Sequence, residues 1–345
     1  MKLAILFGGA SFEHEISIVS AVTMKEKLEN FELSFVFCDQ DHRFYLIDPA
    51  SMMAKTFASG DYRKMPQLQL EIGGFVRKKL FGSERLGMPV LNLIHGGDGE
   101  DGTIASMLDF FKIDYIGPRA AASQLSYDKR YTKWLAASLG VKTVDYEALC
   151  SSSERRVATP YPFIVKPARL GSSIGVSIVR EESQLDYALD VAFEFDECVI
   201  IEPFIEGVKE YNLAGCMIDG EIRFSIVEEP QKNEFLDFDK KYLDFSRTAA
   251  VHQAELGDAE VAKLKDAFMR IYTHLFEGAL IRCDFFMVEG EVLLNEINPI
   301  PGSMGNYLFE DFEGTIAALL KNLPTPRSPR VDYKYIHSIN AAKGK

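Results

Sequence analysis

Two stretches of this chain follow an order that few folds accommodate: an apolar run, a tight glycine turn, then apolar residues at helical period. Residues 2–7 run apolar into Gly8-Gly9, after which Ile18, Ala21, Met24 and Leu28 mark one helix face. Pro89-Val90-Leu91-Asn92-Leu93-Ile94 leads into the turn GGDGEDG and a helical stretch beginning near Thr103. Strands alternating with helices favour a parallel sheet covered by helices, so a layered α/β domain is expected over residues 1–120.

Downstream the pattern changes. Tyr131, Trp134, Leu135 and Leu139 predict an amphipathic helix over 127–139, stopped by Gly140. An apolar strand ending at Lys166, the turn GSSIG, a β-rich run over 176–179 and a helix near 183–193 suggest a small α+β unit. Alternating apolar residues at 211–218 and 222–227, a charged stretch at 228–247, a helix carrying Val261, Leu264, Phe268, Ile271 and Leu275, and strands at 280–287 and 291–298 complete the chain. With 345 residues, two or three domains are expected. The boundaries are placed at 1–122, 123–206 and 207–345.

Charge narrows the partners. Thirty-eight Lys+Arg against 51 Asp+Glu give a net −13, which would be repelled by nucleic acid or an anionic membrane. A few lysines and backbone amides in a concave site can still reverse the local potential for a small phosphate ligand. Five cysteines (38, 150, 198, 216, 283) without a C-x-x-C signal neither a disulfide framework nor zinc, and fit a reducing cytoplasm. MKLAILFGG starts like a secretion signal, but Glu13 and Glu15 stand where a small-residue cleavage site belongs. No apolar stretch approaches the roughly 20 residues of a membrane span, so a soluble protein is expected.

Three constellations carry chemistry. Asp284, Glu296 and Asn298 are oxygen donors on adjacent strands, suited to a nucleotide-bound Mg2+. Glu296 and Asn298 share a strand face, and Asp284 joins it if the hairpin loop has an odd length. A three-residue connection Val288-Glu289-Gly290 meets that condition and sets Arg282 opposite Glu296. Their neighbours are too apolar for a solvent-facing ribbon. Next, Lys166 followed by Gly171-Ser172-Ser173-Ile174-Gly175 offers a cation, amides and hydroxyls to a phosphate, although such a turn alone is more often a hairpin. Finally, Gly97, Gly99 and Gly102 form a G-x-G-x-x-G placed as a dinucleotide fingerprint, but Asp98, Glu100 and Asp101 crowd the place a pyrophosphate would rest. Glu13 and His14 lie at the carboxyl end of the first strand, where open α/β sheets bind ligands, and His95 ends its own strand as a core or site histidine.

Taken in order, FGGASFEHEIS (7–17), HGGDGEDG (95–102), FIVKPARLGSSIGVS (163–177), IIEPFIEGVKE (200–210), KKYLDFSR (240–247), RCDFF (282–286) and NEINPIPGS (295–303) resemble the D-alanine:D-alanine ligases of the ATP-grasp superfamily over nearly the whole chain. That resemblance implies a three-domain ATP-grasp fold, with an N-terminal parallel α/β domain and two α+β domains clamping ATP. It implies D-alanine and ATP as substrates, two Mg2+ or Mn2+ ions, an acylphosphate route to D-alanyl-D-alanine for peptidoglycan, and a homodimer. By resemblance, Lys129 and Lys166 bind the phosphates with the 171–175 loop closing over them, Ser173 and Lys241 are further ATP-binding positions, Glu202, Phe204 and Ile205 hold adenine, and Glu210 holds the ribose. Asp284, Glu296 and Asn298 match the metal ligands. Glu13 matches the residue that binds the first ammonium, with Ser172 and Tyr242 as its hydrogen-bonding partners; His95 is another active-site position and Arg282 faces the transferred phosphoryl group. The stretch 228–247 is the expected lid. One departure stands out: after NEIN the chain reads NPIPGSMGNYLF, so Tyr307 occupies a position where many relatives carry a serine for the second carboxylate. Gly302, Ser303, the Tyr307 hydroxyl and the Leu308 amide are the candidates to receive it. Against this reading stand another ATP-grasp ligase, a nicotinamide oxidoreductase built on Gly97–Gly102, and a non-catalytic amino-acid sensor.

Overall fold

The computed structural model describes residues 1–230, 252–325 and 329–343. The strand Lys2–Gly8 is buried at every position after Lys2 and pairs in parallel with Glu32–Cys38 on one side and Val90–Asn92 on the other. A strand covered on both faces cannot alternate, which is why it reads as an unbroken apolar run. Tyr115–Ile116 extends the parallel half. On the far side of Glu32–Cys38 the sheet continues as antiparallel strands Phe44–Ile47, Gln67–Glu71, Gly74–Lys78 and Ser83–Leu86, making eight in all. These four are only four or five residues each, and their polar positions blur the two-residue period.

At the carboxyl end of the first strand, Gly8 turns at φ +99°, and a Cβ there would lie 2.2 Å from the Cys38 carbonyl oxygen, so only glycine fits. The helix His14–Lys27 follows and buries Ile16, Ile18, Ala21 and Met24. Its Ser17 hydroxyl donates to the Leu93 carbonyl (2.6 Å) and accepts from the Gly8 amide (2.8 Å), which fixes the helix start against two strand ends.

A second, antiparallel sheet runs Ser177–Val179, Phe163–Pro167, Cys198–Pro203, Glu147–Cys150, with Leu185–Phe193 packed on one face. The third runs Glu221–Glu228, Lys209–Ile218, Ile281–Val288, Glu291–Asn298, backed by the helix Asp258–Tyr272. After the last strand the chain returns to the first sheet: Ile300, Met304, Leu308, Phe312, Ile316 and Leu319 share a core with Leu3, Ile5 and Phe7. Among the described residues no helix is long and apolar enough to cross a membrane.

Two local expectations are corrected. The hairpin between the last two strands closes with the two-residue turn Glu289-Gly290 (φ +51° and +78°), leaving Val288 opposite Glu291, instead of the three-residue connection. Paired left-handed residues match the twist of the flanking strands, which favours this turn. An even loop alone would put Asp284 and Glu296 on opposite faces. A bulge at Asn295 restores the parity, so that Asp284 faces Glu296 and Arg282 faces Asn298, not Glu296.

The helix expected over 127–139 runs Lys129–Ser138, after a separate helix Ala120–Tyr127, and the Asp128 carboxylate between them caps it by accepting from the Arg130 amide (2.9 Å); what differs is the face it buries. Its buried face carries Thr132, Lys133 and Ala136, while Tyr131 and Trp134 are 38% and 61% exposed and pack against each other outside. A lysine can turn inward here because a carboxylate waits for it.

Candidate active site

That carboxylate is Glu202, on the inner face of the second sheet. Its oxygens accept from Lys166 Nζ (2.7 Å) and from Lys133 Nζ, and Lys133 also donates to the Val144 carbonyl (3.1 Å). Burial opposes the Glu202 charge, but the two ammonium groups outweigh it and bring its pKa to about 2. One carboxylate cannot compensate two cations equally: Lys166 rises, since Glu202 overcomes its burial, while burial lowers Lys133. Glu296 and Glu210 also act on Lys166 from the same cleft.

This cleft, of about 920 Å³, lies between the second and third sheets. Lys129, Lys166, Ser173 and Glu202 line it together with Phe204, Ile205 and Glu210, and Asn295 and Glu296 reach it from the bulge. Lys129 Nζ donates to the Leu170 carbonyl (2.6 Å). In the loop 171–175, Ser172, Ser173 and Gly175 adopt φ of +56°, +61° and +69°. Left-handed serines are uncommon and persist where their surroundings over-determine them. Here Ser172 Oγ donates to Glu13 Oε1 (2.6 Å), tying the loop to the first domain.

Glu13 belongs to a second cavity of about 1170 Å³, whose lining shares Gly171, Ser172, Glu210 and Glu296 with the first. His95, Glu100, Arg282, Asp284, Asn298, Gly302, Ser303 and Tyr307 complete its polar wall. Burial pushes the Glu13 carboxyl up, against the pull of Ser172 and Lys129. Glu100 is raised well above the carboxylate range by burial and then by the Glu13 charge. Burial brings His95 down to about 4, so the ring is neutral near pH 7; its Nδ1 lies 2.6 Å from the Leu93 carbonyl and is assigned as the donor.

Arg282 grips Asp284 through two bonds, Nε to Oδ1 (2.6 Å) and Nη2 to Oδ2 (2.8 Å), and Asn298 Nδ2 donates to Asp284 Oδ2 (3.0 Å). Burial nevertheless lifts the Asp284 carboxyl, with Glu296 across the ladder adding to the rise. Two opposed carboxyl groups beside an amide oxygen are a donor set suited to a hard divalent cation. Two further polar atoms are buried without a hydrogen-bond partner at this cavity, Asn212 Oδ1 and Ser303 Oγ.

Of the residues singled out in the sequence, Leu308 does not line either cavity: it is 1% exposed in the core beneath the first sheet. Lys241 and Tyr242, with most of the expected lid, lie outside the described residues. Lys133, Glu100 and Asn212 were missed. Lys133 and Asn212 gave no motif signal, whereas Glu100 sat in plain view in a glycine turn weighed for phosphate instead of for a cavity wall.

Comparison with known proteins decides the family. The family described as D-ala D-ala ligase N-terminus matches residues 2–118, and its C-terminal counterpart matches residues 135–311. The chain is 65% identical to the D-alanine–D-alanine ligase of Sulfurimonas denitrificans and 59% identical to that of Sulfurovum sp., with all of both chains covered in each case. It belongs to the D-alanine–D-alanine ligase family. The crystal structure of the D-alanine–D-alanine ligase from Helicobacter pylori superposes with a TM-score of 0.84 at 48% identity, covering 94% of this chain and 100% of that one. Ligases of this family use ATP, and the ATP-grasp fold of its members is the fold seen here. The G-x-G-x-x-G segment is accounted for within this family fold: Gly99 packs so tightly that a Cβ would lie 1.7 Å from the Ile94 carbonyl oxygen, and Asp98 turns away to His42 (2.7 Å).

Proposed function

We propose that this chain couples ATP cleavage to the joining of two D-alanines, through an acylphosphate, and that the residues of the two merged cavities carry the reaction. The observation that supports this most is the shared wall. A triphosphate held by Lys129 and Lys166 in the first cleft would end where Glu210, Glu296 and the 171–175 loop open onto the carboxylate- and arginine-lined cavity.

A carboxylate is a poor electrophile and must be activated before an amine can attack it. In this reading Phe204 and Ile205 flank adenine, Glu210 takes the ribose, and Lys129 and Lys166 with the Ser173 loop hold the phosphates. Glu13, oriented by Ser172, takes the ammonium of the first D-alanine and leaves its carboxylate toward Arg282. An oxygen of that carboxylate attacks the γ-phosphorus and ADP leaves, while Arg282 neutralises charge on the transferring group. The second D-alanine, its carboxylate received by Ser303 Oγ and the Tyr307 hydroxyl at the Gly302 turn, attacks as a free amine. The C–O bond to phosphate breaks as the peptide bond forms. Asp284, Glu296 and Asn298 would hold two Mg2+ or Mn2+ ions, which when bound supply charge neutralisation along the triphosphate. On the same reading the enzyme works as a cytoplasmic homodimer.

Phosphate release measured across D-amino acids and D-lactate, with product identification, tests the proposal. Release with D-alanine and formation of D-alanyl-D-alanine support it. Release only with another acid and amine, or nucleotide binding with no turnover, would replace it with one of the rival readings.

A further inference from the structure

We infer that Cys150 and Cys198 form a cross-strand dithiol that a small disulfide oxidises to an intramolecular disulfide, a modification site separate from the ligase chemistry. The two residues are directly opposite in the ladder between Glu147–Cys150 and Cys198–Pro203. Backbone bonds fix which kind of pair they are. The neighbouring Ser151 amide donates to the Glu197 carbonyl (2.8 Å), so the next pair along is not hydrogen-bonded. Consistently, the Cys198 carbonyl accepts from the Ala168 amide on the opposite side of its strand (3.0 Å). In non-hydrogen-bonded pairs the Cα atoms lie about 4.5 Å apart and the side chains are at their closest, within the span that a disulfide bridges. The two thiols are near enough to act on each other, the Cys150 side chain favouring the protonated form of Cys198.

Their surroundings assign the order of reaction. Cys150 is half-buried at the strand end, beside the exposed turn Ser151-Ser152-Ser153, and is open to a small oxidant; Cys198 is 6% exposed behind it. The Arg130 guanidinium acts on Cys198 in the direction that favours a thiolate, against burial, which holds that thiol at about 11. Cys38, Cys216 and Cys283 are each fully buried. The Cys150 thiolate attacks one sulfur of a low-molecular-weight disulfide, whose S–S bond breaks and releases one thiolate. Cys198 loses its proton to solvent and attacks Cys150 Sγ, expelling the second thiolate. The protein gives up two electrons and two protons, and the small disulfide becomes two thiols.

The full-length protein incubated with oxidised glutathione under native conditions should lose two thiols and two hydrogens of mass and carry no glutathione. Peptide mapping should join Cys150 to Cys198, and Tm should rise reversibly on oxidation, because a staple between these positions restricts the unfolded chain. In C198A the reaction should stop at a glutathione adduct on Cys150. A stable adduct on wild-type Cys150, a bridge to any other cysteine, or five unreacted thiols would overturn the inference; the wild-type peptide map decides even if C198A folds poorly.

Discussion

Replacing Glu202 by glutamine removes the anion on which two buried lysines converge while keeping the side chain's shape. The native carboxyl lies at about 2, well below its ordinary value of 4.5, because Lys166 and Lys133 outweigh its burial. At about 1.4 kcal/mol per unit, this depression contributes about 3 kcal/mol to folding. That agrees with the ~3–5 kcal/mol cost of leaving buried charges without their partner. The sign follows from linkage: a lowered carboxyl stabilises above its unfolded pKa, and the contribution fades as pH falls from about 4.5 toward 2. Urea unfolding should therefore show E202Q about 3 kcal/mol less stable near neutral pH, with the gap constant down to about pH 5 and about 1 kcal/mol narrower by pH 4. Freed from Glu202, Lys166 and Lys133 should also lose their fixed geometry, raising KM for ATP by roughly tenfold or more. A variant within about 1 kcal/mol of the wild type at neutral pH, or a gap that does not narrow in acid, would refute the reasoning.

Other substitutions probe the second cavity. S172A removes the hydroxyl bond that favours the ionised form of Glu13, so the Glu13 pKa should rise further, and KM for the first D-alanine should increase about tenfold, more steeply as pH falls, in initial-rate assays. S303A deletes the unpartnered buried hydroxyl and should weaken the second D-alanine by about 1.5–3 kcal/mol, seen in its KM with ATP affinity unchanged by calorimetry. D284N should leave Arg282 without its carboxylate and lower kcat by at least about a thousandfold, with a higher Mg2+ concentration needed for half-maximal rate.

The parallel half of the first sheet and the oxygen donors of the last hairpin were legible because both rest on local rules, an apolar run before a glycine turn and a two-residue strand period. The hairpin's true register was not legible. Two deviations, an even turn and an extra residue at Asn295, cancel, so the right face was inferred from the wrong loop. Lys133 was hidden for a different reason. Sequence patterning assumes that a lysine faces water, and it took Tyr131 and Trp134 for the buried stripe, whereas the compensating Glu202 lies 69 positions away and is brought near only by the tertiary fold. Asn212 is likewise an ordinary strand residue until the ladder sets it opposite Asp284.

D-alanine carrying a heavy oxygen isotope in its carboxylate, turned over with unlabelled ATP and Mg2+, tests the acylphosphate most directly. Transfer of one labelled oxygen to the released phosphate for each dipeptide formed is the predicted result. Dipeptide accompanied by wholly unlabelled phosphate would contradict it.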